Sequence, residues 1–206
     1  MRKDVGHVPM ARGQQGYGGG RRNEVCMSQS SIDFAHFFDY LLQARWRLLG
    51  WVREQPPAVY TRTFPIGLGS IRATLVHTAG AEWAYVERMG GRSVSPADSP
   101  FSVERQPELE PFLAAWERQA PVTRRTLADL GDPGRPVEFV WRPPASLSQM
   151  GPKPSRVRTT AGGIAGQLLM HEVHHRAQVM AMLRQTGVAA ENLDYSVLMW
   201  ERTPIG

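Results

Sequence analysis

LLMHEVHHRAQVMAMLRQTGV, residues 168–188, is the stretch whose reading decides the fold and the chemistry. It packs three of the chain's six histidines into five residues, inside an apolar pattern of helical period that stops at Gly187. On a helix, His171 and His175 lie one turn apart on the same face, separated by about 6 Å along the axis. Two imidazoles at that spacing can bind one metal ion. Gln178 continues the stripe and could position a ligand by hydrogen bonding, or make a contact behind the ligands. His174 falls about 80° from the stripe's centre and Arg176 about 120°. His174 is therefore expected on the surface or behind the ligands. Arg176 is expected in an ion pair with a Glu on another helix.

A third protein ligand must come from elsewhere. His7 lies in a Gly/Arg-rich tail, and His36 sits beside Phe37 on another helical segment, where a half-buried surface role suffices. His77 lies within RATLVHTAGAEWAYVERM, with Ala73, Ala81 and Ala84 as its face neighbours. Small residues around a His leave room for a close helix or a cavity, where a plain core would place Leu. His77 is thus the expected third ligand. Such a stripe can also be ordinary core. Three buried neutral imidazoles would then need several hydrogen-bond partners, which Leu, Met and Ala do not supply, so the metal site is favoured.

His171-Glu172-Val173-His174-His175 also matches the H-E-x-x-H pattern of zinc proteases, with Glu172 as general base. The context fails. In the extended motif Gln178 stands where Gly is needed and Ala181 where His is needed. RVRTT is a poor substrate-aligning strand.

Outward from this helix, 206 residues suffice for one domain with a substantial core. Residues 1–29, including GQQGYGGGRR, cannot bury enough apolar surface to order themselves, so they are expected to be a disordered tail before a domain at 30–206. Met27 is a candidate native start. A helix is expected over 32–53, with Ser30 and Asp33 as capping candidates and Pro56-Pro57 ending it. A second helix is expected over 68–89, closed by Gly90-Gly91. A third is expected over 107–130, kinked at Pro121. PVEFVWRPP and SRVRTT read as a hairpin with a Pro/Ser-rich connection. The fourth helix spans about 162–186, and Asp194 caps a last short turn. Four long amphipathic helices with one small hairpin predict an all-α four-helix bundle, its connectivity left open by the unequal loops.

The net charge is +5, but the first 26 residues hold a surplus of three basic groups, leaving +2 scattered over the rest. Nucleic acid is not an expected partner. No apolar run approaches the ~20 residues of a membrane helix, and no membrane partner is expected. With Cys26 as the single cysteine, neither an internal disulfide nor a cysteine-based zinc cluster is possible, and the cytoplasm is the expected compartment. Leu169, Met170, Val173, Ala177, Met180 and Ala181 make the fourth helix apolar nearly all round. Burial on more than one side follows, and a homodimer interface would supply the second.

HTAGAEWAYVERM followed much later by HEVHHRAQVMAMLRQTGV resembles the DinB/YfiT-like family, which carries one early helical His and a late H-x-x-x-H-R-x-Q helix. The resemblance covers about residues 28–200 and includes Leu193-Asp194-Tyr195. It implies a four-helix bundle in up-down-down-up order, a divalent metal on His77, His171 and His175, and frequently a homodimer. Some members are small-thiol S-transferases, and a related branch includes a thiol-dependent isomerase.

Three imidazoles would leave an ion with an open position, which suits a metal-activated water or thiolate acting on a small-molecule substrate, with a low-molecular-weight thiol as the candidate. The expected ion is zinc or nickel, with iron or copper behind them. The alternative function is a non-catalytic metal- or ligand-binding stress protein.

Overall fold

A computed structural model describes residues 32–142 and 153–203. The expected disordered tail, the candidate start at Met27, the Ser30 cap and most of the hairpin connection lie outside the described residues. The described chain is mostly helical, with one two-stranded antiparallel sheet.

Helix α1 (Phe34–Arg53) begins where Asp33 accepts a hydrogen bond from the His36 backbone N–H at 2.9 Å. Pro56-Pro57 ends it as expected but also starts a short helix, α2 (Pro57–Thr61), which the sequence reading treated as loop. A proline at a first helical position forgoes an N–H that has no partner there anyway, so the same residues serve as stop and start.

Helix α3 (Ile71–Met89) starts three residues later than expected. Gly67 and Gly69 hold φ of +53° and +84°, which keeps the chain out of a helix until Ser70 caps Ala73 N–H. A 3₁₀ turn at Pro96–Asp98 precedes α4 (Leu109–Ala128), which is assigned as one helix through Pro121.

Strands β1 (Pro136–Trp141) and β2 (Ser155–Thr160) pair in register from Pro136↔Thr160 to Trp141↔Ser155. Thr160 then accepts from Gly163 N–H and caps α5 (Ala161–Arg184), which carries the quoted stretch. Helix α6 (Tyr195–Met199) is the expected last turn, although the Asp194 side chain makes no capping bond.

The four long helices pack α1 on α4 and α5, and α3 on α4 and α5. Arg124 with Asp39 and Arg53 with Glu110 tie opposite ends of α1 and α4, so those two run antiparallel. His77 meets His175 while Tyr85, further along α3, meets His171, so α3 and α5 are antiparallel too. The core between them holds Phe38, Leu41, Leu49, Ile71, Phe112, Leu113, Trp116, Val179, Met182 and Leu183, all essentially buried.

One polar network crosses that core. Arg45 of α1 is fully enclosed and donates through Nε to Glu172 Oε1 of α5 at 2.9 Å and through Nη2 to Glu82 Oε2 of α3 at 2.7 Å. From α4, Trp116 Nε1–H donates to Glu82 Oε2 at 2.7 Å and Thr123 Oγ1–H to Glu82 Oε1 at 2.6 Å. Burial opposes the charge on Arg45, but Glu172 and Glu82 outweigh it and raise its pKa. Burial raises the pKa of Glu82, against the Arg45 charge and with Glu172 adding to the rise, because two carboxylates share one guanidinium.

Removing one partner from a buried set strands the others without compensation. Arg45→Ala should therefore cost about 3–5 kcal/mol of folding free energy, measured by urea unfolding. A loss under about 1 kcal/mol would mean that the network contributes little to the fold.

Candidate metal centre

Three histidines from two antiparallel helices converge. His77 comes from α3, and His171 and His175 come from successive turns of α5. The Nε2 of His171 stands 3.1 Å from the Nε2 of His77 and 3.2 Å from that of His175. One nitrogen from each ring lies within 4.8 Å of the others, and the three could hold a metal ion. The donor set fits. With metal–nitrogen bonds of about 2.0–2.1 Å, separations near these subtend about 100° at a shared ion, between the octahedral and tetrahedral values. His175 is buried, whereas His77 and His171 are half-buried, so the cluster stands at the edge of the core. The small neighbours Ala73, Ala81 and Ala84 are also half-buried, on the open flank of α3.

Burial lowers the pKa of His77 to about 4, with the neighbouring His175 adding to the effect. Burial likewise brings His171 down to about 3, assisted by His175, His77 and His174. His175 is lowered as well, first by burial, while its bond to Gln178 works the other way. Near neutral pH the rings are therefore uncharged and their lone pairs free, the protonation state that metal binding requires.

The remaining residues of the quoted helix divide clearly. Gln178 lies beside the cluster, its Oε1 2.8 Å from His175 Nδ1 and its Nε2 2.9 Å from His174 Nε2. His174 is exposed, on the surface as expected. Glu172 faces the opposite way into the Arg45 network, so its carboxylate is held by a guanidinium and does not serve as a free base at the histidines.

Among the described residues, the ion pair expected of Arg176 is not formed. Its guanidinium lies over the Tyr40 ring, 5.1 Å from the centroid, and donates to the Tyr40 hydroxyl. The ring satisfies the cation from one face, and the phenol oxygen takes a donor. His36 is exposed and bonds Tyr195 at 2.7 Å, far from the cluster in role.

Sequence reasoning missed Arg45, Glu82 and Tyr85, whose ring stands edge-on to His171 at 5.8 Å. A signal existed for the first two. Arg45 falls on the apolar face of α1 with Leu41, Leu48 and Leu49, and Glu82 falls between buried Ala79 and Val86 on α3. A lone charge on an apolar stripe calls for a buried counter-charge.

A helical chain with a histidine trio able to hold one ion is a recognisable class: two helices supply the donors and the core supplies their register. The sequence model of the DinB family matches residues 27–204, and the chain belongs to that family. It is similar to Protein DinB of Bacillus subtilis (strain 168), 22% identical over 170 residues that cover 82% of this chain and 95% of the relative.

The lowered histidine pKa values link stability to pH in the metal-free protein. Unfolded histidines titrate near their ordinary value of about 6.5, so below that pH the unfolded state binds more protons than the folded one. Their contribution is fully present above about 6.5 and is lost as pH falls through about 4 and then about 3. Urea unfolding in excess chelator should show stability declining over that window, with a flatter decline in a His77→Gln/His171→Gln double variant. Parallel slopes for the two proteins would contradict the assignment.

Proposed function

We propose that this DinB-family protein is a metal-dependent enzyme acting on a small molecule, with His77, His171 and His175 as the metal ligands. The observation that carries the reading is the convergence of three ring nitrogens from distant segments, His171 Nε2 standing 3.1 Å from that of His77 and 3.2 Å from that of His175, in a group that could hold one ion. Three neutral donors leave the ion's charge uncompensated, as suits a catalytic rather than a closed structural site. Such an ion supplies Lewis acidity and can make a nucleophile from water or a thiol near neutral pH.

Zinc or nickel suits the imidazole set best, with iron or copper next. Of thiol transfer and hydrolysis, thiol transfer is preferred because the family resemblance points there. The substrate would then be an electrophile paired with a low-molecular-weight thiol. Within the chain, His175 and Gln178 would orient the site, and the apolar core behind α5 would keep water from the ligands' far side. The buried pairing of Glu172 with Arg45 weighs against a zinc protease.

We further read the four long helices as a four-helix bundle in up-down-down-up order, forming one domain from about residue 30. The antiparallel α1/α4 and α3/α5 pairs support it, as does the α1/α5 pair. There Arg45 meets Glu172 and, just past the C-terminal ends of both helices, Gln55 meets Thr186, as a parallel run requires. No helix among the described residues is long and apolar enough to cross a membrane, and a cytoplasmic location is part of the proposal.

A homodimer along α5 is the last part. Met170 is 70% exposed, and Val173 and Ala177 are exposed beside it, forming an apolar stripe away from the core.

Freshly purified protein should carry close to one divalent ion per chain by elemental analysis, and His77→Ala or His171→Ala should lose it. Thiol conjugation to a generic electrophile should fall at least about 100-fold with chelator or with either variant. A metal-loaded wild type with no activity toward thiol or ester substrates would leave a binding protein instead. For the dimer, light scattering at micromolar concentration should give twice the chain mass, and Met170→Glu should halve it. A monomer in the wild type would refute that part.

A further inference from the structure

The ring nitrogen of His175 that faces away from the cluster has a partner. Nε2 of His175 points to His171 at 3.2 Å, and Nδ1 lies 2.8 Å from Gln178 Oε1. A neutral imidazole carries one proton, on one nitrogen or the other. An amide oxygen only accepts, so the bond to Gln178 requires the proton on Nδ1. Nε2 is then left as a bare lone pair aimed at the other two histidines.

The other end of the amide agrees. Gln178 Nε2 is 2.9 Å from His174 Nε2 and donates to it, so the carbonyl is the end left for His175. A reversed amide would place a donor against His175 Nδ1 and move that ring's proton to Nε2, where it would block a metal.

The amide is also confined by backbone. Gly67, in the loop before α3, holds φ +53°, and a Cβ there would stand 2.4 Å from Gln178 Oε1 and 2.7 Å from its Cδ. The loop therefore lies directly on the amide, and no larger residue fits without displacing it. That loop leads into the helix bearing His77, so Gln178 joins the two segments that supply the ligands.

We propose that Gln178 is a positioning residue that fixes the Nδ1–H tautomer and the ring angle of His175, so that its Nε2 is presented to the metal. The consequence for metal affinity rests on the three-histidine reading; the tautomer itself does not. Partners that orient metal-binding histidines in this way commonly contribute a factor of about 10–100 to affinity. His174, exposed at the surface, completes the arrangement by accepting the amide's N–H and opposing its reversal.

Two measurements on the full chain test this. Long-range proton–nitrogen NMR of the metal-free protein reads which nitrogen of His175 is protonated. Zinc alone, titrated against a chromophoric chelator, reads affinity. Wild type should show His175 protonated at Nδ1. Gln178→Leu should lose that preference and bind zinc about 10–100-fold more weakly, whereas Gln178→Glu, which keeps the acceptor, should stay within about threefold of wild type.

Protonation of His175 at Nε2 in the wild type would overturn the proposal. So would a Gln178→Leu variant that keeps both the tautomer and the affinity. If the wild type bound no zinc, the ligand reading would fail, and the NMR result would still decide the role of Gln178. That measurement needs only the wild type, so a poorly folding variant does not remove the test.

Discussion

All four long helices meet on one buried ion group. Arg45 from α1 holds Glu172 of α5 and Glu82 of α3, and Glu82 is held in turn by Trp116 and Thr123 of α4. Apolar contacts are tolerant of small slips, since one methyl group can replace another at little cost. A guanidinium shared by two carboxylates is not, because any slip leaves a charge without a partner in a low-dielectric interior. The network therefore fixes helix register more tightly than the surrounding Leu, Phe and Val side chains do.

That register bears directly on the histidines. Glu172 follows His171 immediately, and Glu82 lies five residues beyond His77 on the same helix. Locking the two glutamates to one arginine sets the heights of α3 and α5 relative to each other, and the antiparallel histidines then fall level. The same division explains why adjacent residues of the quoted stretch behave so differently. His171 and His175 face α3 at the half-open edge, Glu172 and Arg176 point into the core, and Met170, Val173, His174 and Ala177 face outward. A helix presents three environments within two turns, so five consecutive residues that resemble a protease motif are separated into unrelated tasks.

The site itself combines two opposing demands. Burial keeps the imidazoles neutral, which preserves their lone pairs, yet complete burial would close the cluster to anything in solution. Placing His175 under cover and leaving His77 and His171 half-buried meets both. Small alanines flank His77, and the glycine loop lies over Gln178.

Much of this was legible in the chain. The spacing of His171 and His175, the small residues around His77, the capping residue Asp33 and the hairpin strands are local patterns, and local patterns follow from dihedral preference and period. They determined the helices, the hairpin and the three histidines worth uniting. What the sequence could not decide was which side chains meet across helices. Arg176 found a phenol rather than a carboxylate, Arg45 of another helix took Glu172, and Pro57 opened a short helix where a loop was expected. Those outcomes depend on the rotation and height of each helix against its neighbours. The whole core sets these at once, through the simultaneous satisfaction of buried charge and packed volume, and no single segment carries that information.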